Sequence, residues 1–333
     1  MKHISIIAMP AGNLGSIDNP RRAFHFVNDY CRQRGLAPLF KVQVVGLEPE
    51  VPMGDGLYTI HADTTIQKIK KTDLIVIPAI DGDITKGLAT GKAFIPWIVA
   101  RHHQGTEVAS LCMGAFLLAA TGLLNGKSCS THWKAANMFR KQFPEVQLLT
   151  DKVITDENGV YTSGGSFSAA NLILYIIEKY AGRETAIECS KMFQVDMDRQ
   201  SQSPFIIFQG QKDHEDEPVK QAQDFIEQNY QEKITVDSLS NLLALSRRNL
   251  ERRFKKATDN TVVEYIQRVK IEAAKKYFET SSRNVNEVMF DVGYNDTKAF
   301  RTVFKKITGL SPLAYRSKYN REINKIFKLA EAS

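Results

Sequence analysis

Short apolar runs alternate with longer amphipathic stretches over the first 180 residues of the chain. The runs are rich in Val, Ile and Leu and predict strands at residues 4–8, 40–45, 73–78 and 108–111. The stretches between them have helical spacing and predict helices at residues 20–34, 63–70 and 86–104. Strands that are apolar on both faces and separated by helices are typical of a parallel sheet covered on each side. We therefore predict an α/β sandwich.

The pattern after Cys112 predicts further helices, and then the character of the chain changes. The helices run to about residue 124 and cover residues 132–143 and 166–180, with a hairpin around residues 153–161. A polar and charged stretch then ends in Pro218, after which no strand pattern remains. The predicted organisation is a first domain at residues 1–195, a linker at 196–217 in which 205–208 would pack back on the first domain, a helical domain at 218–320 and a tail at 321–333.

The helical region contains an internal repeat with an offset of 50 residues. Phe254-Lys255-Lys256 returns as Phe304-Lys305-Lys306, Thr258 returns as Thr308, and Tyr265 returns as Tyr315. Two copies are too few for a solenoid. The repeat instead predicts two similar small units side by side.

Each copy has the pattern of a short helix, a tight turn and a second helix. The helices are predicted at residues 236–243 and 247–257, and again at 286–292 and 297–307. Ser246 and Asp296 are suitable N-caps, and Gly293 suits the second turn because glycine tolerates a positive φ. Apolar residues such as Leu250 and Phe300 form the buried stripe. The outward side chains predicted on the second helices are Arg247, Arg248, Glu251, Arg252 and Lys255 in the first copy, and Thr297, Lys298, Arg301, Thr302 and Lys305 in the second.

A second helix with outward Arg, Lys and Thr is the geometry that enters the major groove of DNA. The charge distribution agrees, because residues 234–333 carry 20 basic and 11 acidic side chains within a chain of net charge +7. A single run of basic residues is usually only a solvated helix face. Here basic groups occupy matching positions in both copies, so we predict double-stranded DNA as a partner. The predicted DNA-contacting residues are Arg247, Arg248, Glu251, Arg252, Thr297, Lys298, Arg301 and Thr302.

The motif Gly309-Leu310-Ser311-Pro312, which is followed by Tyr315-Arg316, makes residues 218–320 resemble the DNA-binding domain of AraC-type transcription regulators. The resemblance implies two helix-turn-helix units that contact bases in successive major-groove turns, joined by a long helix at 262–278. It also implies a homodimer and RNA polymerase as a further partner. The apolar face predicted for the joining helix consists of Val262, Ile266, Val269, Ala273 and Tyr277.

A second motif lies at Cys112, where a predicted strand turns abruptly into a helix. Gly114 removes a side chain where the helix must pass close to the strand, as in the nucleophile elbows of hydrolases. A thiol near a helix N-terminus has a lowered pKa, and His132 is available as a base. The other cysteines, Cys31, Cys129 and Cys189, form no CxxC pair, so the sequence predicts neither a zinc cluster nor a disulfide framework.

The residues around Cys112, together with Thr131-His132-Trp133 and the Gly164-Gly165 pair, resemble the class I glutamine amidotransferase-like superfamily, which includes intracellular proteases and glyoxalases. Two departures from its enzymes stand out. Ser16 occupies the place of their acid, four residues before Pro20, and the turn that usually supplies an oxyanion donor reads Pro78-Ala79. Cys112 and His132 are therefore vestigial catalytic candidates. The predicted ligand-binding residues are Cys112, Met113, His132, Ser16, Gly164 and Gly165.

Together these patterns predict a flavodoxin-like parallel-sheet sandwich followed by an all-α twin helix-turn-helix domain. The predicted function is sequence-specific transcription regulation in the cytoplasm, controlled by a small-molecule effector, without enzymatic activity, cofactor, metal or membrane. The alternative is a cysteine-dependent hydrolase or glyoxalase-like enzyme with a nucleic-acid-binding tail. An interaction module without a ligand is a third reading.

Overall fold

A computed structural model of the chain describes residues 1–165, 167–199 and 201–320. The chain forms two compact units, with the division between Gln202 and Ser203, inside the range predicted as a linker. The predicted tail at residues 321–333 lies outside the described residues. Among the described helices, none is both long and apolar enough to span a bilayer.

A mostly parallel sheet organises the first unit, as predicted. Its order is β10-β11-β7-β6-β1-β2-β5, and every neighbouring pair is parallel except the β10–β11 hairpin. The pairs β3–β4 and β8–β9 form two small separate ladders. The strands are β1 Lys2–Ile7, β2 Phe40–Gly46, β3 Glu50–Met53, β4 Tyr58–His61, β5 Thr64–Thr65, β6 Leu74–Ile77, β7 Glu107–Ser110, β8 Ser128–Cys129, β9 Gln147–Leu148, β10 Ile154–Asp156 and β11 Val160–Ser163.

Helices cover both faces of this sheet, which is why β1 and β6 are apolar on both sides. One core includes Phe24 of α1 and Leu172 of α6, and the other includes Phe116 of α4 and Phe139 of α5. The helices are α1 Leu14–Gln33, α2 Ile84–Gly91, α3 Ile95–His103, α4 Ala115–Ala120, α5 Ala136–Gln142, α6 Ser168–Ala181 and α7 Arg183–Phe193.

Two predicted helices of the first unit differ from the structure. Residues 63–70 contain strand β5 and a 3-10 turn, because β-branched Thr64 and Thr65 pair with the end of β2 while Asp63 accepts a hydrogen bond from Val44 N. The helix predicted at 86–104 is divided into α2 and α3, with a 3-10 turn between them and a proline in the first turn of α3.

The second unit is entirely helical among its described residues, and both predicted helix-turn-helix units are present. Ser246 and Asp296 accept N-cap hydrogen bonds from Asn249 N and Ala299 N, and Gly293 has φ +74°. The helices are α8 Glu217–Gln228, α9 Val236–Leu242, α10 Arg247–Thr258, α11 Val262–Thr280, α12 Val285–Asp291, α13 Thr297–Thr308 and α14 Pro312–Tyr319.

The 50-residue repeat has a structural basis in the two cores of this unit. Thr258 and Thr308 each donate a side-chain hydrogen bond of 2.8 Å to the carbonyl four residues earlier, at the end of α10 and of α13. Tyr265 packs edge-on against Phe254, and Tyr315 does the same against Phe304. The repeated apolar, threonine and tyrosine residues therefore build the scaffold that presents the outward side chains.

The joining helix α11 buries a different set of residues from the face we predicted. Val262 and Ile266 are buried as expected, whereas Val269, Ala273 and Tyr277 are only half-buried. The reason is that α11 contributes residues to two cores, and each core buries a different side of the helix. The residues buried along α11 are Val262, Tyr265, Ile266, Lys270, Ile271, Ala274, Lys275 and Phe278.

The segment just after Gln202 packs on the helical unit. Phe208 contacts the Tyr265 ring at 5.1 Å, and Lys275 Nζ donates to Ile206 O at 2.6 Å. The prediction that residues 205–208 pack back on the first domain is therefore wrong, because Phe208 packs against the core beside α11.

Candidate functional site

Cys112 lies at a sharp turn between β7 and α4, with φ +51°. Its side chain is buried, and its backbone is held on both sides: Cys112 N donates to Ser163 Oγ at 3.3 Å, and Thr131 Oγ1 donates to Cys112 O at 2.9 Å. A positive φ is unfavourable for a residue with a β-carbon. These flanking hydrogen bonds help to keep Cys112 in that conformation.

Gly114 is required by the close passage of two backbone segments. A β-carbon added there would lie 2.4 Å from Pro78 O, far inside van der Waals contact. The turn that carries Cys112 is therefore packed directly against the loop after β6. This close approach brings the ends of two neighbouring strands together at one edge of the sheet.

Ser16, which stands where the related enzymes have an acid, is committed to structural hydrogen bonds. Its hydroxyl donates to Asn13 O at 2.7 Å and accepts from Ala79 N at 2.9 Å. A serine hydroxyl cannot supply the negative charge of a carboxylate. The N–H of Ala79, in the loop where an oxyanion donor is expected, is already used by this contact.

His132 is half-buried and caps a short 3-10 turn. Its Nδ1 accepts from Lys134 N at 3.1 Å, so a neutral ring carries its proton on Nε2. Burial, and secondarily the charge of Lys134, lower the pKa of His132 below its ordinary value. A β-carbon added at Gly165 would lie 3.6 Å from His132 Cδ2, so Gly165 and the imidazole ring are neighbours.

A cavity of about 500 Å³ opens beside Cys112. It lies among the start of α1, the Cys112 turn and helices α6 and α7. Asn13, Ser16 and Asn19 supply its polar end, and none of the described lining residues carries a formal charge. Burial raises the pKa of another lining residue, Cys189, to about 12, so this thiol is neutral at physiological pH. The other lining residues are Gly15, Pro20, Ala23, Ala79, Leu111, Cys112, Phe167, Ala169, Ala170, Ile173, Leu174, Phe193 and Val195.

The structure divides the predicted ligand-binding residues among three places. Ser16 and Cys112 line the cavity, whereas the other predicted residues do not. Met113 packs against the core on the opposite face of the sheet. His132 instead lies next to Gly165, which directly follows Gly164. Within the described ranges, no three His, Cys, Asp or Glu side chains are grouped as metal ligands.

Gln202 is a further residue of this region that was not predicted, and its side chain, only 1% exposed, lies beside Gly164 and Gly165. Its Nε2 donates to Thr131 O at 3.0 Å and to Lys152 O at 3.1 Å, and its Oε1 accepts from Gly165 N at 3.3 Å. A β-carbon added at Gly164 would lie 2.7 Å from the Gln202 amide. Gln202 occurs in a polar stretch with no pattern of burial, so no sequence signal marks it.

All eight side chains predicted to contact DNA are exposed on α10 and α13. In the first helix-turn-helix unit, Arg247 Nη1 lies 3.3 Å from Asp237 Oδ2, and Arg247 Nε lies 3.2 Å from Glu251 Oε1. Arg252 Nη2 donates to Asn249 Oδ1 at 3.1 Å. Arg247 thereby links α9 to α10, while the other cations extend from the helix.

The remaining cations have no such neighbours. Within the described residues, the side chains of Arg248, Lys298 and Arg301 form neither hydrogen bonds nor ion pairs. Surface arginine and lysine side chains of this kind are available to bind phosphates or guanine edges. The two second helices therefore present comparable cationic surfaces.

Comparison with known families agrees with both parts of this architecture. The DJ-1/PfpI family matches residues 35–179, and a helix-turn-helix domain family matches residues 239–318. The chain combines a DJ-1/PfpI domain with an AraC-type helix-turn-helix domain. The DJ-1/PfpI domain thus contains the Cys112 turn, and the helix-turn-helix domain contains both cationic helices.

Similar proteins are named as transcription regulators. The HTH-type transcriptional regulator GbdR of Pseudomonas aeruginosa is 27% identical over 251 residues, covering 71% of this chain and 65% of GbdR. The regulator CdhR of the same species is 21% identical over 287 residues, covering 83% of this chain and 81% of CdhR. The match thus spans slightly less than two thirds of GbdR.

A solved structure supports the fold of the DJ-1/PfpI domain. A crystal structure of a protein from Vibrio parahaemolyticus, described as a transcriptional regulator, superposes with a TM-score of 0.51 at 23% identity. The superposition covers 57% of this chain and 98% of that chain. At this level of identity the likeness establishes the fold of the domain.

The buried contacts of Gln202 predict a large effect of Gln202→Ala on the DJ-1/PfpI domain. Two carbonyls and one N–H each lose a buried hydrogen bond, so we expect the free energy of unfolding to fall by about 2–4 kcal/mol. Gln147→Ala, at an exposed position, should change it by less than about 0.5 kcal/mol. Denaturant unfolding followed by tryptophan fluorescence reports this domain, because both tryptophans, Trp97 and Trp133, lie in it. Equal effects of the two substitutions would contradict this role of Gln202.

Proposed function

We propose that this protein is a transcription regulator in which the helix-turn-helix domain binds specific DNA and the DJ-1/PfpI domain binds a small effector. The observation that carries the proposal is the pair of equivalent helices, α10 and α13, with exposed Arg and Lys side chains on one scaffold repeated after 50 residues. The names of GbdR and CdhR support the same function. A regulator of this kind works where the chromosome is, which in bacteria is the cytoplasm.

We further propose that the Cys112 region binds without catalysing a reaction. General base catalysis with a cysteine nucleophile needs an oriented base and donors for the oxyanion. Ser16 supplies no carboxylate, and Ala79 N–H is occupied by Ser16 Oγ. The alternative of a hydrolase or glyoxalase-like enzyme is therefore disfavoured. In this proposal Cys112 contributes a small polarisable wall to a binding cavity.

The chemistry of the cavity indicates the class of effector. Burying an unpaired charge is strongly unfavourable, and no described lining residue could pair with one. The apolar wall formed by residues such as Ile173, Leu174 and Phe193 favours an apolar body, while Asn13 and Ser16 mark the end where a neutral polar group would bind. We propose an uncharged small molecule with one hydrogen-bonding end. A homodimer and a contact with RNA polymerase belong to the proposal because the AraC-type resemblance implies them.

The central test is selection of genomic DNA fragments by the purified full-length protein at about 0.15 M salt. We expect enrichment of one or a few sites, each with two half-sites about 10 base pairs apart. The spacing follows from two recognition helices that enter successive major-groove turns. Uniform enrichment, or none in the presence and absence of cell metabolites, would overturn the proposed DNA-binding function.

Arg252→Ala and Arg301→Ala should each weaken binding to the selected site by about 1–3 kcal/mol and relax its sequence preference. The physical reason is the loss of a guanidinium able to bind a base edge in each recognition helix. Arg32→Ala is the matched control, because Arg32 is an exposed arginine in the other domain, paired with Asp29. Fluorescence anisotropy with the selected duplex and single-base variants measures both effects. Unchanged affinity and preference in both variants would show that this helix face is not the reading surface.

The cavity can be tested with matched sets of compounds in which one carbon skeleton carries an amide, a carboxylate or an ammonium group. We expect thermal stabilisation by uncharged members, reaching about 2.7 kcal/mol at 100 times Kd. Ala170→Trp, which fills the cavity from α6, should abolish the thermal shift. Met138→Trp, at an exposed position of α5, should leave the shift intact. Stabilisation only by charged members, or a shift that survives Ala170→Trp, would show that the effector binds differently.

A further inference from the structure

Lys270, in the middle of α11, is a buried lysine with an exposure of only 7%. Its Nζ is within hydrogen-bonding distance of three backbone carbonyls: Val292 O at 3.0 Å, Glu232 O at 3.2 Å and Gly293 O at 3.3 Å. Among the described residues, no carboxylate forms an ion pair with it. The three N–H donors of the ammonium group thus match three carbonyl acceptors.

The three carbonyls belong to two separate parts of the helix-turn-helix domain. Glu232 lies in the connection between α8 and α9, directly before the first helix-turn-helix unit. Val292 and Gly293 form the turn between α12 and α13, in the second unit. Lys270 therefore joins the entrance of one unit to the turn of the other through hydrogen bonds from a third segment, α11.

The backbones that Lys270 joins also touch each other. A β-carbon added at Gly293 would lie 2.2 Å from Gln231 O and 2.5 Å from Lys270 Nζ. Tyr230, in the same α8–α9 connection, packs against the core of the second unit. The contact between the two units is therefore a tight backbone packing that has Lys270 at its centre.

Lys270 also lies at the point where α11 passes from one core to the other. Tyr265 and Ile266 belong to the core of the first unit, and Ile271 and Ala274 belong to that of the second. Apolar packing within each core fixes each unit internally, but apolar contacts are non-directional. The directional hydrogen bonds of Lys270 restrict rotation of one unit against the other. Carbonyls at the end of α12 carry partial negative charge, so a cation is favourable there.

We propose that Lys270 is a positioning residue that sets the separation and orientation of the two recognition helices and thereby the spacing of the half-sites that the protein accepts. Its own side chain is buried and touches no DNA. The effect of Lys270 on half-site spacing rests on the proposed DNA-binding function. Its effect on the relative position of α10 and α13 rests on geometry alone.

The first test measures geometry in the full-length protein without DNA. Spin labels are attached through Lys256→Cys and Lys306→Cys, which are exposed and equivalent in the repeat, while the four native cysteines are buried. We expect one narrow distance distribution between α10 and α13, which Lys270→Met should broaden. Lys275→Met is the matched control: Lys275 is also buried on α11, but its Nζ binds Ile206 O and Glu272. It should leave the distribution narrow.

The second test uses the duplex recovered by genomic selection, single half-sites, and duplexes with one base pair added or removed between the half-sites. Lys270→Met should lose about tenfold in affinity for the selected duplex, which equals about 1.4 kcal/mol, and should lose its preference among spacings. Binding to a single half-site should change less than about twofold. Lys275→Met should keep the spacing preference of the unchanged protein. If Lys270 only stabilised the fold, Lys270→Met and Lys275→Met would affect the spacing preference alike.

A milder variant keeps the inference testable if Lys270→Met does not fold. Lys270→Gln retains N–H donors on a shorter side chain, so we expect partial broadening and a partial loss of spacing preference. A narrow distance distribution and unchanged spacing preference in a folded Lys270 variant would overturn the inference. A broadened distribution together with no specific DNA binding by the unchanged protein would retain the geometric role and reject the proposed function instead.

Discussion

The close passage of Gly114 against Pro78 O determines how the DJ-1/PfpI domain is arranged at one edge of its sheet. Only a residue without a β-carbon permits this approach, because a β-carbon at position 114 would lie 2.4 Å from Pro78 O. The loop after β6 is then near enough for Ala79 N to donate to Ser16 Oγ on α1. The β1–α1, β6–α2 and β7–α4 connections thereby meet around one cavity. One of these contacts engages Ala79 N–H, in the loop where an oxyanion donor is expected.

The helix-turn-helix domain shows how far local sequence signals extend. The N-caps at Ser246 and Asp296, the positive φ of Gly293 and the helix boundaries could be predicted because each depends on residues within one turn of chain. The repeat also predicted correctly that two similar units exist. What it could not show is that its most obvious matches, such as Tyr265 and Tyr315, are structural residues, since both tyrosines are buried in the two cores.

The features that sequence reasoning missed depend on contacts between distant parts of the chain. Residues 63–70 have a helical pattern, yet Thr64 and Thr65 join the sheet because β2 offers a free edge there. The predicted face of α11 assumed one partner surface, whereas two cores share that helix. Lys270 and Gln202 are buried polar residues whose hydrogen bonds go mainly to backbone groups far away in sequence. Of the predicted ligand-binding set, Ser16 and Cys112 reach the cavity, and His132 lies instead beside Gly165.

The position of Gln202 has a consequence for how such proteins can be assembled from parts. Its side chain completes the interior of the DJ-1/PfpI domain, yet the next residue along the chain already belongs to the helix-turn-helix domain. A gene fusion that joins a new output domain after residue 202 keeps the interior intact. One that joins at Asp196, where the polar stretch begins, removes a buried amide that three backbone groups require. The modular boundary between these domains therefore lies after Gln202, inside the apparent linker, not at its beginning.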